Sequence, residues 1–156
     1  TALVASAVSL QQAGQPNVLI NLSQPMVPII ISIDATLINQ ALTNILKNAG
    51  EAIEARKRNN PFPGYSGIIN VVLLDESHSV LLKISDNGIG LPQDRSRLFE
   101  PYVTTREKGT GLGLAIVKKI IEEHGGVLKL EDSDASGSED IIGALISIEI
   151  PKPISA

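Results

Sequence analysis

Apolar residues recur at helical spacing near the start of the chain, at Leu3, Val4, Ala7, Val8 and Leu10, until Gly14 and Pro16 end the pattern. That spacing predicts a short helix. Two branched runs follow, Val18 to Leu22 and Val27 to Ile33, with Ser23-Gln24-Pro25 between them, and their composition predicts a β-hairpin. Asp34 then stands where an N-cap belongs, ahead of a long helical pattern from about Ala35 to Lys57. Ile38, Leu42, Ile45, Ala49 and Ile53 form its main apolar stripe, and Leu37 and Ala41 widen it toward a second side, which predicts a well-buried helix.

Asn59 to Gly67 carries two prolines, two glycines and polar residues, a composition for a surface loop. Ile68 to Leu74 and Val80 to Ser85 read as strands around a polar turn, in which His78 is a solvated turn residue. Pro92 to Arg97 reads as a single helical turn, and the polar, charged Thr104 to Gly109 as a mobile segment. Leu112, Ala115, Ile116 and Ile120 predict a second strong helix up to Glu123, stopped by His124-Gly125-Gly126, with His124 beside the helix's carbonyl end. Val127 to Leu130 and Gly143 to Ile150 are the remaining strands, joined by a Ser/Asp/Gly tract from Ser133 to Glu139 that is expected to be disordered. Helices and strands mix without strict alternation. The expected fold is α+β, a two-layer α/β sandwich with helices on one face of a mixed, mostly antiparallel sheet.

Composition narrows the function. At 156 residues and 43% hydrophobic content, the chain suffices for one domain with a real core, about residues 2–151. It has no cysteine and only two histidines, which excludes disulfide frameworks, thiolate sites and a histidine-rich metal centre. A net charge of -4 and only four aromatics, Phe62, Tyr65, Phe99 and Tyr102, argue against a nucleic-acid surface. No apolar run approaches the ~20 residues of a membrane span. The chain opens at Thr1 inside a helical pattern and its single methionine is Met26, so it reads as part of something longer.

Three stretches carry candidate chemistry. Asp86-Asn87-Gly88-Ile89-Gly90 places a carboxylate at a strand end, followed by two glycines whose freedom at positive φ would let a flat ligand approach; an amine such as adenine's would donate to Asp86. The plain alternative is an Asp-Gly type turn. Asn44 and Asn48 lie one helical turn apart on one side of the long helix, either as satisfied core amides or with Asn48 as a ligand of hydrated Mg2+. Gly109-Thr110-Gly111-Leu112-Gly113 opens the second helix, where free amides and the helix dipole favour phosphate. No Gly-Lys-Ser/Thr follows, so this is not a P-loop. Glu131 ends the next strand about 20 residues on, as a dinucleotide site needs, but the spacing and the charged Arg106-Glu107-Lys108 before it count against that reading.

In order and spacing, Asn44 to Asn48, Asp86 to Gly90, Phe99 to Tyr102 and Gly109 to Gly113 resemble the N, G1, F and G2 boxes of bacterial sensor histidine kinases. Gly125-Gly126 and the Gly143 to Pro151 segment are similar to that family's final strands, so the resemblance covers about Ala2 to Pro151. Pro101-Tyr102-Val103-Thr104-Thr105 through Lys118-Lys119 most resembles the nitrogen-regulation group, NtrY/NtrB-like.

The resemblance implies the Bergerat ATP-binding fold, shared with gyrase, heat-shock chaperone and mismatch-repair ATPases, and the cofactors ATP and Mg2+. It makes Asp86 the adenine acid with Gly88 and Gly90 shaping its pocket, Asn48 the magnesium ligand, and Asn44 a phosphate or water contact. Phe99 and Tyr102 would hinge a lid at about residues 104–110, while Thr110, Gly111, Leu112 and Gly113 bring backbone to the phosphates. Arg106 and Lys108 would contact the terminal phosphate, or else serve as solvated lid charges. Where the family often has Lys, three residues after the magnesium Asn, this chain has Glu51. ATPase relatives carry a general-base Glu where this chain has Asn44, and an amide cannot take a proton from water. The resemblance therefore implies a kinase domain that transfers phosphoryl to a histidine on an upstream dimerisation domain, for relay to a response regulator. Its whole would be a homodimer, membrane-anchored with this domain cytoplasmic. The alternatives are an ATPase or ATP-binding module of the same fold, and a dinucleotide-binding module.

Overall fold

The computed structural model describes residues 1–59, 65–90, 113–133 and 143–153. Asp34 opens the longest helix, α2 (Ala35–Asn59), as its sequence predicts: its Oδ1 accepts from the Leu37 amide at 3.1 Å, and its carbonyl from the Ile38 amide at 2.9 Å. The stripe Ile38, Leu42, Ile45, Ala49 and Ile53 is buried throughout, and Ala41 with it. Helix α1 (Ala2–Gly14) buries Val4, Ala7 and Val8 beside α2, and α3 (Gly113–Glu123) buries Val117, Ile120 and Ile121.

These helices cover one face of a five-stranded sheet. The strands are β1 (Val18–Ser23), β2 (Gly67–Asp75), β3 (Ser79–Asp86), β4 (Val127–Ser133) and β5 (Gly143–Pro151), in the order β1-β2-β3-β5-β4. Only the β1–β2 pairing is parallel. Alternate residues, Val18 and Ile20, Ile69, Val71 and Leu73, Val80, Leu82 and Ile84, Ile146 and Ile148, form the helix-facing layer of the core. Asp86 lies opposite Ile69 in the β2–β3 register. The period of two therefore sends the acid toward the helices.

One expected element is absent. Val27 to Ile33 forms no strand, so the hairpin with Val18 to Leu22 does not exist; β1 instead pairs in parallel with β2. Pro25 and Pro28 have no amide hydrogen to give a ladder. Ile29, Ile31 and Ile33 nonetheless pack on the core, while Val27 and Ile30 point to solvent. From Ile29 to Ile33 the alternation is that of an extended chain held by its side chains.

The outer edge of β1 is occupied by a side chain. Gln12 Nε2 donates to the Val18 carbonyl at 2.6 Å, and Gln12 Oε1 accepts from the Ile20 amide at 2.9 Å. One amide group thus takes the place of a neighbouring strand.

Candidate functional site

Four residues of α2 at successive four-residue steps, Asn44, Asn48, Ala52 and Arg56, form one slowly winding ridge. Along this ridge the helix meets both glycine-rich stretches. A Cβ added to Gly113, the first residue of α3, would lie 3.4 Å from Asn48 Nδ2. One added to Gly88 would lie 2.5 Å from the backbone carbon of Ala52 and 2.7 Å from the Ile53 nitrogen. The loop after β3 is pressed directly onto the helix backbone.

Asp86, at the end of β3, is buried, and its Oδ1 accepts the Gly88 amide at 2.9 Å. The Ile89 amide donates to the Ala52 carbonyl at 3.0 Å. Positive φ is confined in this loop to Gly90, at 85°. Gly88 is therefore a glycine for a different reason from the one its sequence implied: it makes room for α2.

Asn87, Arg56 and Tyr65 escaped the sequence reading. The Asn87 amide donates to the Ile68 carbonyl at 3.3 Å, and its Oδ1 accepts from the Ile68 amide at 2.8 Å. The side-chain carbonyl thereby takes the ladder position that the Asn87 main-chain carbonyl leaves. Asn87 Nδ2 donates to the Ser66 carbonyl at 2.8 Å. The main-chain carbonyl of Asn87 takes two donors, Arg56 Nη1 and, at 3.0 Å, the Tyr65 hydroxyl. The Arg56 guanidinium also lies 4.1 Å from the centre of the Tyr65 ring. Burial pushes the Tyr65 phenol above its ordinary pKa, with Asp86 adding to the rise and Arg56 opposing it. Tyr65 is thus held in its donating form. The four-residue spacing from Asn48 through Ala52 to Arg56 was the available signal.

Asn44 and Asn48 are half-buried, and among the described residues neither side-chain amide has a hydrogen-bond partner. That counts against satisfied core amides. Phe99, Tyr102, Arg106, Lys108, Thr110, Gly111 and Leu112 lie outside the described residues, as do the expected lid, the turn at Pro92 to Arg97 and most of the Ser133 to Glu139 tract. An apolar cavity of about 350 Å³ lies elsewhere, among α1, residues 28–33 and the sheet. It contains none of these polar groups, so chemistry rather than volume locates the site.

A buried acid behind a helix-packed loop, and a polar ridge against the start of a second helix, define a nucleotide-binding α/β sandwich. Residues 33–154 match the family described as histidine kinase-, DNA gyrase B-, and HSP90-like ATPase. The chain belongs to this family, as an ATP-binding catalytic domain of the sensor histidine kinase kind. In sequence it is similar to the nitrogen regulation protein NtrY of Azorhizobium caulinodans, 50% identical over 133 residues, 84% of this chain and 17% of that protein. In structure it is similar to the mycobacterial sensor histidine kinase MprB, with a TM-score of 0.79 and 26% identity, covering 98% of this chain and 95% of that one. The histidine kinase ThkA, solved in complex with the response regulator protein TrrA, gives a TM-score of 0.72 at 28% identity, covering 97% of this chain and 40% of ThkA. The chain thus spans about a sixth of NtrY's length. Among the described residues no helix is long and apolar enough to cross a membrane.

Proposed function

We propose that this domain binds Mg-ATP with Asp86 at the adenine and Asn48 at the metal, and donates the γ-phosphoryl to a histidine on a separate dimerisation domain of the same protein. The observation that carries the reading is the α2 ridge, which holds the Asp86 loop at Ala52 and the first residue of α3 at Asn48. One rigid helix thereby spaces a base-reading acid from a phosphate-binding helix start.

The donor set fits the group. A buried carboxylate accepts from an exocyclic amine, and the half-buried Asn48 amide offers an oxygen. Among the described residues no three His, Cys, Asp or Glu side chains cluster, and Mg2+ asks for few protein ligands when phosphates and water supply the rest. When bound, Mg2+ neutralises charge on the phosphates. Asn44 supplies an amide where water activation would need a carboxylate, which favours transfer over hydrolysis. Gly90 shapes the base pocket, and Thr110, Gly111, Leu112 and Gly113 bring amides to the phosphates. The family resemblance assigns Arg106 and Lys108 to the terminal phosphate and Phe99 and Tyr102 to the lid motif. The whole protein is a membrane-anchored homodimer with this domain in the cytoplasm. ThkA's complex with TrrA supports a response regulator as the final phosphoryl acceptor.

Asp86→Asn tests the adenine role. A charged hydrogen bond is worth about 1.5–3 kcal/mol, so the ATP Kd should rise about tenfold or more in a folded variant. Unchanged affinity would remove Asp86 from the role.

A further inference from the structure

We propose that Arg56 is a positioning residue for the adenine acid: from inside the domain it holds the Asn87 carbonyl and so sets the direction in which Asp86 meets the base. This rests on the reading of Asp86 as the adenine acid. Arg56 is 5% exposed near the end of α2, where neighbouring Lys57 and Arg58 are more open. Among the described residues no carboxylate pairs with it, and its Nε has no hydrogen-bond partner. A buried guanidinium with one carbonyl and one aromatic face is a costly way to stabilise a fold. Its hydrogen bond goes instead to the Asn87–Gly88 peptide, and the ring that it stacks on donates to the same carbonyl.

The geometry leaves that unit little freedom. Asn87 is fixed to β2 through its own amide and its side chain, and its carbonyl is fixed to Arg56 and Tyr65. Gly88 and Ile89, immediately after, sit on Ala52. Releasing the carbonyl lets the Asn87–Gly88 peptide rotate, and the N–H of that same peptide is the donor to the Asp86 carboxylate, so the carboxylate loses its anchor and its direction. The prediction is a loss of base selectivity with phosphate binding retained.

The test compares ATP with inosine triphosphate, which has an oxo group in place of the amine that Asp86 would accept. Affinities for both are measured by calorimetry for the unaltered chain, Arg56→Met, Arg56→Lys and Asp86→Asn, with urea unfolding confirming the fold. Arg56→Met should lower the ATP-to-inosine preference about tenfold, approaching Asp86→Asn, while affinity for inosine triphosphate stays within about twofold. Arg56→Lys should fall between, because it keeps a charged donor but loses the planar stack on Tyr65. Equal weakening of both nucleotides in Arg56→Met, with the preference lost in Asp86→Asn, would overturn the positioning role alone. An unchanged preference in Asp86→Asn would overturn the adenine reading and this inference together. If Arg56→Met does not fold, Tyr65→Phe removes the second donor to the same carbonyl; an unchanged preference in both folded Tyr65→Phe and Arg56→Lys would refute the proposal.

Discussion

Asn48 meets α3 at Gly113, where an added Cβ would come into van der Waals contact with its amide at 3.4 Å. With Asn48 as the magnesium ligand, Asn48→Ala should weaken Mg-ATP about tenfold while metal-free ATP changes little, measured by titration with and without EDTA. Equal losses in both conditions would show that Asn48 only packs. The place of Asp86 at a buried strand end was legible in the sequence because an apolar run leads directly into it, although the same five residues also read as an Asp-Gly turn. Arg56 was not legible, because arginine near a helix end ordinarily reads as a solvated charge at the carbonyl terminus. Its burial depends on the loop after Asp86 folding back onto α2, a contact between residues 31 positions apart. Gly88 shows the same limit: the sequence marks the glycine, and only the helix beside it explains why Ala52 leaves no room for a Cβ.

At the scale of elements, Gln12 joins α1 to the sheet by completing the edge of β1. Gln12→Leu should cost about 1–2 kcal/mol, by stranding a carbonyl and an amide that water reaches poorly, and it should lower the urea midpoint. An unchanged midpoint would show that water replaces the glutamine without loss. Helix α2 was legible because cap, apolar stripe and length agree. The segment 27–33 was misread because period-two alternation reports an extended, half-buried chain and says nothing about which strand supplies its hydrogen bonds. The partner of β1 is β2, more than forty residues later, and no local pattern announces a parallel pairing.

At the scale of the whole molecule, both histidines stand apart from the proposed nucleotide site. His124 Nδ1 lies 2.8 Å from the Ile120 carbonyl, and Nε2 accepts the Asp34 amide at 3.1 Å, so both ring nitrogens are engaged in joining α3 to the start of α2. His78 sits in the turn before β3, and eight extended residues, about 24 Å, separate that end of the strand from Asp86. The acceptor histidine of the proposed reaction therefore lies on another segment, and no water-activating carboxylate stands at Asn44. The most direct test is transfer of label from γ-labelled ATP to this domain alone and to the full-length protein, with acid and alkali stability identifying the linkage. The expected result is an acid-labile, alkali-stable phosphohistidine on the full-length protein, and on the isolated domain bound Mg-ATP, slow hydrolysis and no label. Rapid turnover by the isolated domain, with no phosphohistidine on the full-length protein, would contradict it and place the chain among the ATPases of its fold.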